Sequence, residues 1–157
     1  NLTMLDPEHQ MKLLYPHRPW ESEPDFAEWT DAITGYRCAI RRHGTLGQLC
    51  GYVGVFKGHP AYGLGYDALD GMIGGGVHGG LTYSNTDKDG VHWFGFDCGH
   101  AGDFSPYLIK RMLKILPESK LLRERSDETY RTWEYVETEV RELVRLLSKA
   151  NVSWGER

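Results

Sequence analysis

No run of about 20 consecutive apolar residues, the length of a bilayer-spanning helix, occurs in the 157-residue chain, and mean hydropathy is −0.50. No membrane role through a spanning helix is therefore expected. Positive charge is also scarce. Eighteen Lys and Arg face 22 Asp and Glu, for a net charge of −4. A protein built on phosphate-backbone contacts carries a basic excess, so nucleic acid is a disfavoured partner. Cysteine is limited to Cys38, Cys50 and Cys98, without CxxC spacing. An odd, unpaired set argues against a disulfide framework and a structural zinc site, and predicts buried, reduced thiols in a cytoplasmic protein. The two commonest nucleotide signatures are missing. No Gly-Lys-Ser/Thr closes a P-loop, and no GxGxxG opens a helix after a strand. Asn1–Gln10 carries Asp6 and Glu8 and no apolar stretch, so no signal peptide is expected, and Met4 reads as the native start.

What is present is glycine and aromatic side chains. Glycine makes up 19 of 157 residues, well above the usual share of roughly 7%. Aromatics reach 12% in a chain that is 40% hydrophobic and 25% charged. The length fits a single domain, 1–157, with three compositional zones. In residues 1–34, Pro7, Pro16, Pro19 and Pro24 rule out a long helix. This zone reads as an arm pinned by Trp20, Phe26 and Trp29, with one or two helical turns within Asp25–Ala32. Residues 35–104 are the β region. Two runs, 36–42 and 48–55, read as a hairpin. Gly58–Gly76, with seven glycines, reads as a long mobile loop, lid-like and hinged at Gly74–Gly76. Residues 77–83 and 91–98 read as a second hairpin about the polar turn 85–90. Residues 105–157 are helical, with a short helix over 107–116 and a strong one from Ser126 or Asp127. There Trp133, Val136, Val140, Leu143, Val144 and Leu147 form one apolar stripe, made to pack on the sheet. The fold class is α+β: a small antiparallel or mixed sheet covered by C-terminal helices.

Polar residues able to do chemistry concentrate in two short segments. One contributes His78, ahead of Gly79 and Gly80; the other contributes Asp97, His100 and Asp103. A hairpin centred near residue 87 sets residue 97 opposite residue 77, which puts His78 beside Asp97 and makes Asp97 its expected orienter. Several chemistries fit. The four side chains suit a divalent metal. A histidine held by an aspartate suits a general base. Cys98 beside an imidazolium suits a nucleophile. Asp and His between glycines also tie turns through side-chain-to-backbone bonds. Gly79 and Gly80 allow close backbone approach to a ligand, and Tyr62 and Tyr66 offer a stacking wall. His9, His17, His43 and His92 show no partner spacing. Arg41-Arg42-His43 reads as a solvated hairpin tip.

Taken together, Cys50-Gly51-Tyr52-Val53-Gly54-Val55, Gly58-His59-Pro60, Gly65-Tyr66-Asp67, Val77-His78-Gly79-Gly80-Leu81-Thr82-Tyr83 and Trp93-Phe94-Gly95-Phe96-Asp97-Cys98 with His100-Ala101-Gly102-Asp103 resemble a family of uncharacterised proteins encoded by bacteriophages and bacteria. The stretch from Tyr130 to Tyr135 is similar too, and the resemblance spans roughly residues 20–147. It implies a phage or prophage setting inside a bacterial host cell. It also implies that the short link Ser84–His92 stands where the family carries a longer insert. The expected function is that of an accessory protein binding a small polar ligand, nucleotide or sugar phosphate, with hydrolysis as an added activity. The alternative is an interaction protein that binds and blocks a host protein.

Overall fold

A computed structural model describes residues 6–155; Met4 and the other residues outside that range lie beyond it. The chain opens with α1 (Pro7–Leu14), whose first turn is capped by the Asp6 carboxylate accepting the His9 N–H at 2.9 Å. A single 3-10 turn, Pro19–Glu21, leads into β1 (Phe26–Thr30). Next come β2 (Arg37–Arg42), β3 (Leu49–Val55), α2 (Tyr66–Ile73), β4 (Tyr83–Thr86) and β5 (His92–Asp97). Three helices close the chain: α3 (Pro106–Met112), α4 (Glu118–Arg125) and α5 (Trp133–Gly155). All neighbours pair antiparallel, in the order β1-β2-β3-β5-β4. The α+β class stands, with a wholly antiparallel sheet.

Alternation decides which face is buried. On β3, Leu49, Gly51, Val53 and Val55 point to α5; a side chain on Gly51 would run into Phe96 and Val140. Their cross-strand partners Ile40, Cys38, Phe96 and Phe94 share that face. From α5, Val136, Val140, Leu143 and Leu147 are fully buried against it. Each such side chain contributes about 1.5–3 kcal/mol relative to exposure, which is why the stripe forms a helix here. A second apolar cluster joins Met11, Trp20, Phe104, Ile109, Leu113 and Leu121, so the N-terminal segment packs on α3 and α4.

Several expectations need correction. Asp25–Ala32 holds a strand, not helical turns: Ala27 and Trp29 turn inward and Phe26, Glu28 and Thr30 outward, the period-two pattern of an edge strand. Gly58–Gly76 is not a free loop. It contains α2, Ala61 and Leu69 are fully buried, and the His59 Nε2–H donates to the Leu147 carbonyl at 3.0 Å. Residues 77–82 are not a strand, because Gly79 (φ +69°) and Gly80 (φ +78°) are left-handed, incompatible with extended backbone. β4 therefore begins only at Tyr83. α5 starts at Trp133 rather than near 126, because Thr129 forms a parallel bridge with Asp103 instead. The first-turn N–H of Trp133 is taken by Glu23, at 2.9 Å.

Arg42 is not a solvated tip. Its side chain is 2% exposed and uses every donor. Nε reaches Asp25 (2.8 Å), Nη1 reaches the Gly47 carbonyl (2.9 Å) and Tyr130 Oη (2.7 Å), and Nη2 reaches Glu23 (3.1 Å) and the Pro24 carbonyl (3.2 Å). A buried charge so paired clips the N-terminal segment to the hairpin and to the approach to α5. His92 is likewise internal, between Thr86 Oγ1 (2.6 Å) and the Leu64 carbonyl (2.7 Å).

Candidate functional site

Three separated stretches of chain converge beyond the end of β5. The glycine-rich link between α2 and β4 supplies His78. The turn after β5 supplies His100 and Asp103. The approach to α5 and its first turn supply Arg131 and Tyr135. Asp103 is the centre. Its carboxylate is 1% exposed and accepts from His78 Nε2 (2.8 Å), Arg131 Nε (2.9 Å) and the His100 backbone N–H (3.1 Å). Burial opposes its ionisation, but hydrogen bonds from His78 and Arg131, then the His100 N–H, outweigh that and hold the carboxyl below the usual aspartate range.

An ionised carboxylate only accepts, so a proton sits on His78 Nε2, and in the tautomer with that proton alone Nδ1 is an acceptor. Tyr135 Oη donates to that nitrogen at 2.8 Å. The result is an ordered chain: Tyr135 hydroxyl, His78 imidazole, Asp103 carboxylate, Arg131 guanidinium. Arg131 also stacks over the Tyr135 ring, 5.1 Å from its centroid. Burial, then the charge of Glu139, pushes the Tyr135 hydroxyl above its usual range, so it stays protonated.

His100 stands next to this chain, its ring centroid 6.2 Å from that of His78. Its Nε2 lies 3.5 Å from Asp97 Oδ1, too long for a hydrogen bond, and is buried without a hydrogen-bond partner among the described residues. The cause is Gly79, whose missing side chain is the space that the His100 ring fills. Asp97 serves the turn: Oδ1 accepts the Gly99 N–H (2.9 Å) and Oδ2 the Thr82 hydroxyl (3.0 Å).

The expected pairing of His78 with Asp97 is thus replaced by His78 with Asp103. β4 and β5 pair Tyr83 with Gly95 and Thr86 with His92, a register that extends to set residue 81 opposite Asp97. The hairpin centre is two residues further on than the sequence implied. His78 reaches the site through the turn at Gly79–Gly80, not along a strand. Arg131 and Tyr135 were missed as site residues. Of the four candidates only His78 and Asp103 join side chain to side chain by a hydrogen bond, and among the described residues no group of three or more His, Cys, Asp or Glu is arranged to hold a metal ion. Cys98 is 1% exposed, and burial, then Asp103, Cys50 and Asp97, raise its thiol far above the usual range, which removes it as a nucleophile. Tyr62 is spent on the Gly90 carbonyl (2.8 Å) at the far end of the hairpin, and the Tyr66 N–H is held by Ser84 (3.0 Å). The structure brings neither to His78. Gly79 touches the site through His100, and Gly80 approaches Asp70.

No known family model, curated protein or solved structure matches this chain.

Proposed function

We propose that this chain binds a small polar ligand, of nucleotide or sugar-phosphate character, at the His78–His100–Arg131–Tyr135 cluster, as an accessory protein in a phage-carrying bacterial cell. One observation carries the reading: the Tyr135–His78–Asp103–Arg131 chain, with links of 2.8, 2.8 and 2.9 Å. A buried carboxylate with a histidine and an arginine fixed on it costs more desolvation than a turn requires. Perturbed groups of this kind gather at functional sites. Tyr135 and His78 form a proton path. The Tyr135 proton can pass to His78 Nδ1, which gives an imidazolium paired with Asp103 and a tyrosinate that takes a proton from a bound ligand. That is acid–base chemistry suited to hydrolysis. A second reading, an interaction protein without turnover, is favoured by one fact: both ring nitrogens of His78 are already engaged.

Native mass spectrometry of protein purified from bacterial cells tests the proposal. A small molecule retained by the wild type and lost in folded His78→Ala and Tyr135→Phe variants is the expected result. Release of a bound protein instead, or a retained mass that both variants keep, would support the second reading or end the first.

A further inference from the structure

The sheet face turned away from α5 is open, and its side chains form a platform. Tyr52 stands opposite Gly95, and Trp93 opposite Gly54. Each ring lies across its glycine: a side-chain carbon on Gly95 would sit 2.5 Å from the Tyr52 ring, and one on Gly54 3.1 Å from that of Trp93. The Tyr52 ring is thereby laid on the sheet over Gly95, while the Trp93 ring shares the space over Gly54 with Val91, whose side chain comes nearer still. Tyr83 meets Tyr52 edge-on, ring centroids 5.6 Å apart, and Trp93 is locked by its Nε1–H donating to Asp87 at 2.9 Å. Adjoining grooves of about 600 and 510 Å³ share Phe26, Arg41 and Tyr52 as walls. That is the size of small-molecule sites, which are apolar with a few placed polar groups.

The placed polar group is Arg41. It is exposed, stacks 5.0 Å over the Phe26 ring, and makes no ion pair or hydrogen bond among the described residues. Arg37, on the same face, is committed to Glu28 (2.6 Å) and Thr30 (2.5 Å). Arg41 therefore presents a planar fork of N–H donors, the geometry that takes phosphate or carboxylate in a bidentate fashion. Glu28, Asp87 and Asp89 line the rest of the second groove, and Asp25, already paired with Arg42, lines the first. Their negative charge leaves room for one anionic group, at Arg41, and repels a polyanion laid across the face.

We propose that this face binds a planar aromatic ligand bearing one anionic group, in the chemical class of a nucleoside monophosphate, with its ring stacked on Tyr52, its edge against Tyr83 and its anion on Arg41. The proposal is independent of the His78 cluster, which lies at the head of α5 on the other side of the sheet. NMR titration with adenosine 5′-monophosphate tests it, with adenosine and inorganic phosphate as separate probes. Saturable shifts of the Tyr52, Tyr83 and Trp93 ring signals and of Arg41 Nε are expected. Read from the signals of this face, Arg41→Gln should weaken the nucleotide tenfold or more and leave adenosine unchanged; Tyr83→Ala should weaken both; His78→Ala should change neither affinity at this face. Both substituted side chains are exposed, so the variants keep the fold. No shift on this face at millimolar nucleotide would overturn the proposal. So would a single-stranded oligonucleotide that binds more tightly than the monophosphate, with an affinity falling steeply as salt rises.

Discussion

Among the described residues, Asp103 and Arg42 are the charged side chains that are buried, and each sets a measurable dependence. The folded pKa of Asp103 is depressed, so its stabilisation is complete above the unfolded aspartate value of 3.8 and is lost as pH falls through the lower folded value. Acid unfolding followed by circular dichroism should show this limb, and Asp103→Asn should flatten it while lowering stability at neutral pH. An unchanged acid limb in the variant would mean that another carboxylate governs it. Arg42→Leu leaves Glu23 facing a neutral side chain, with Tyr130 Oη still donating to it at 2.5 Å. A broken buried pair costs about 3–5 kcal/mol. Urea denaturation should report a loss of that order, partly restored in the Arg42→Leu/Glu23→Gln double variant. Gly79→Ala has two faults: a left-handed φ of +69° and a methyl group pushed into the His100 ring. His100 should be displaced in its NMR spectrum, with a destabilisation of about 1–3 kcal/mol.

At the scale of elements, α5 carries the largest share of the main core. Leu143 is fully buried there, and Leu143→Ala should cost about 2–5 kcal/mol, read as a lowered denaturation midpoint. A variant as stable as the parent would contradict the packing described. The same helix depends on Glu23 for its first turn, through the Trp133 N–H. Segments far apart in the chain thus share one cap, and the helix start belongs to the tertiary structure as much as to its own residues. β3 shows the complementary case. Gly51 is required by what packs on it, since Phe96 and Val140 occupy the space a side chain would take.

For the whole molecule, the consequence is that the N-terminal segment is not an appendage. Met11 and Trp20 complete the second core with Phe104, Ile109 and Leu121, and the Trp20 ring packs tilted against Phe104 and edge-on against Tyr130. Glu23 and Asp25 neutralise Arg42. Removing residues 1–25 should therefore abolish cooperative unfolding, measured by calorimetry, rather than trim a dispensable arm. A truncated chain with the parent's sharp transition would show that the two cores fold independently.

The apolar stripe of α5, the strands at 37–42, 49–55 and 92–97 and the α+β class were legible from local pattern alone. Period-two and 3.6-residue alternation record which side of an element is buried, whatever lies across from it. The convergence of His78, His100 and Asp103 was legible as well, because short polar segments rich in glycine stand out between apolar strands. The partners were not. Hairpin register depends on where the turn closes, and the two-residue offset at Asp87–Gly90 moved Asp97 away from His78. Gly79 and Gly80 read as strand or as turn from composition; only their left-handed φ angles carry His78 to Asp103. Arg131 and Tyr135 lie more than 50 positions beyond His78 and carry no local mark. Arg42 looked like any charge near a turn until Glu23, Asp25 and Tyr130 closed over it. Local sequence determined the buried apolar faces of α5, β2, β3 and β5 and the kind of element each forms. Tertiary structure alone decided which charges meet, since that choice rests on contacts between residues distant in the chain.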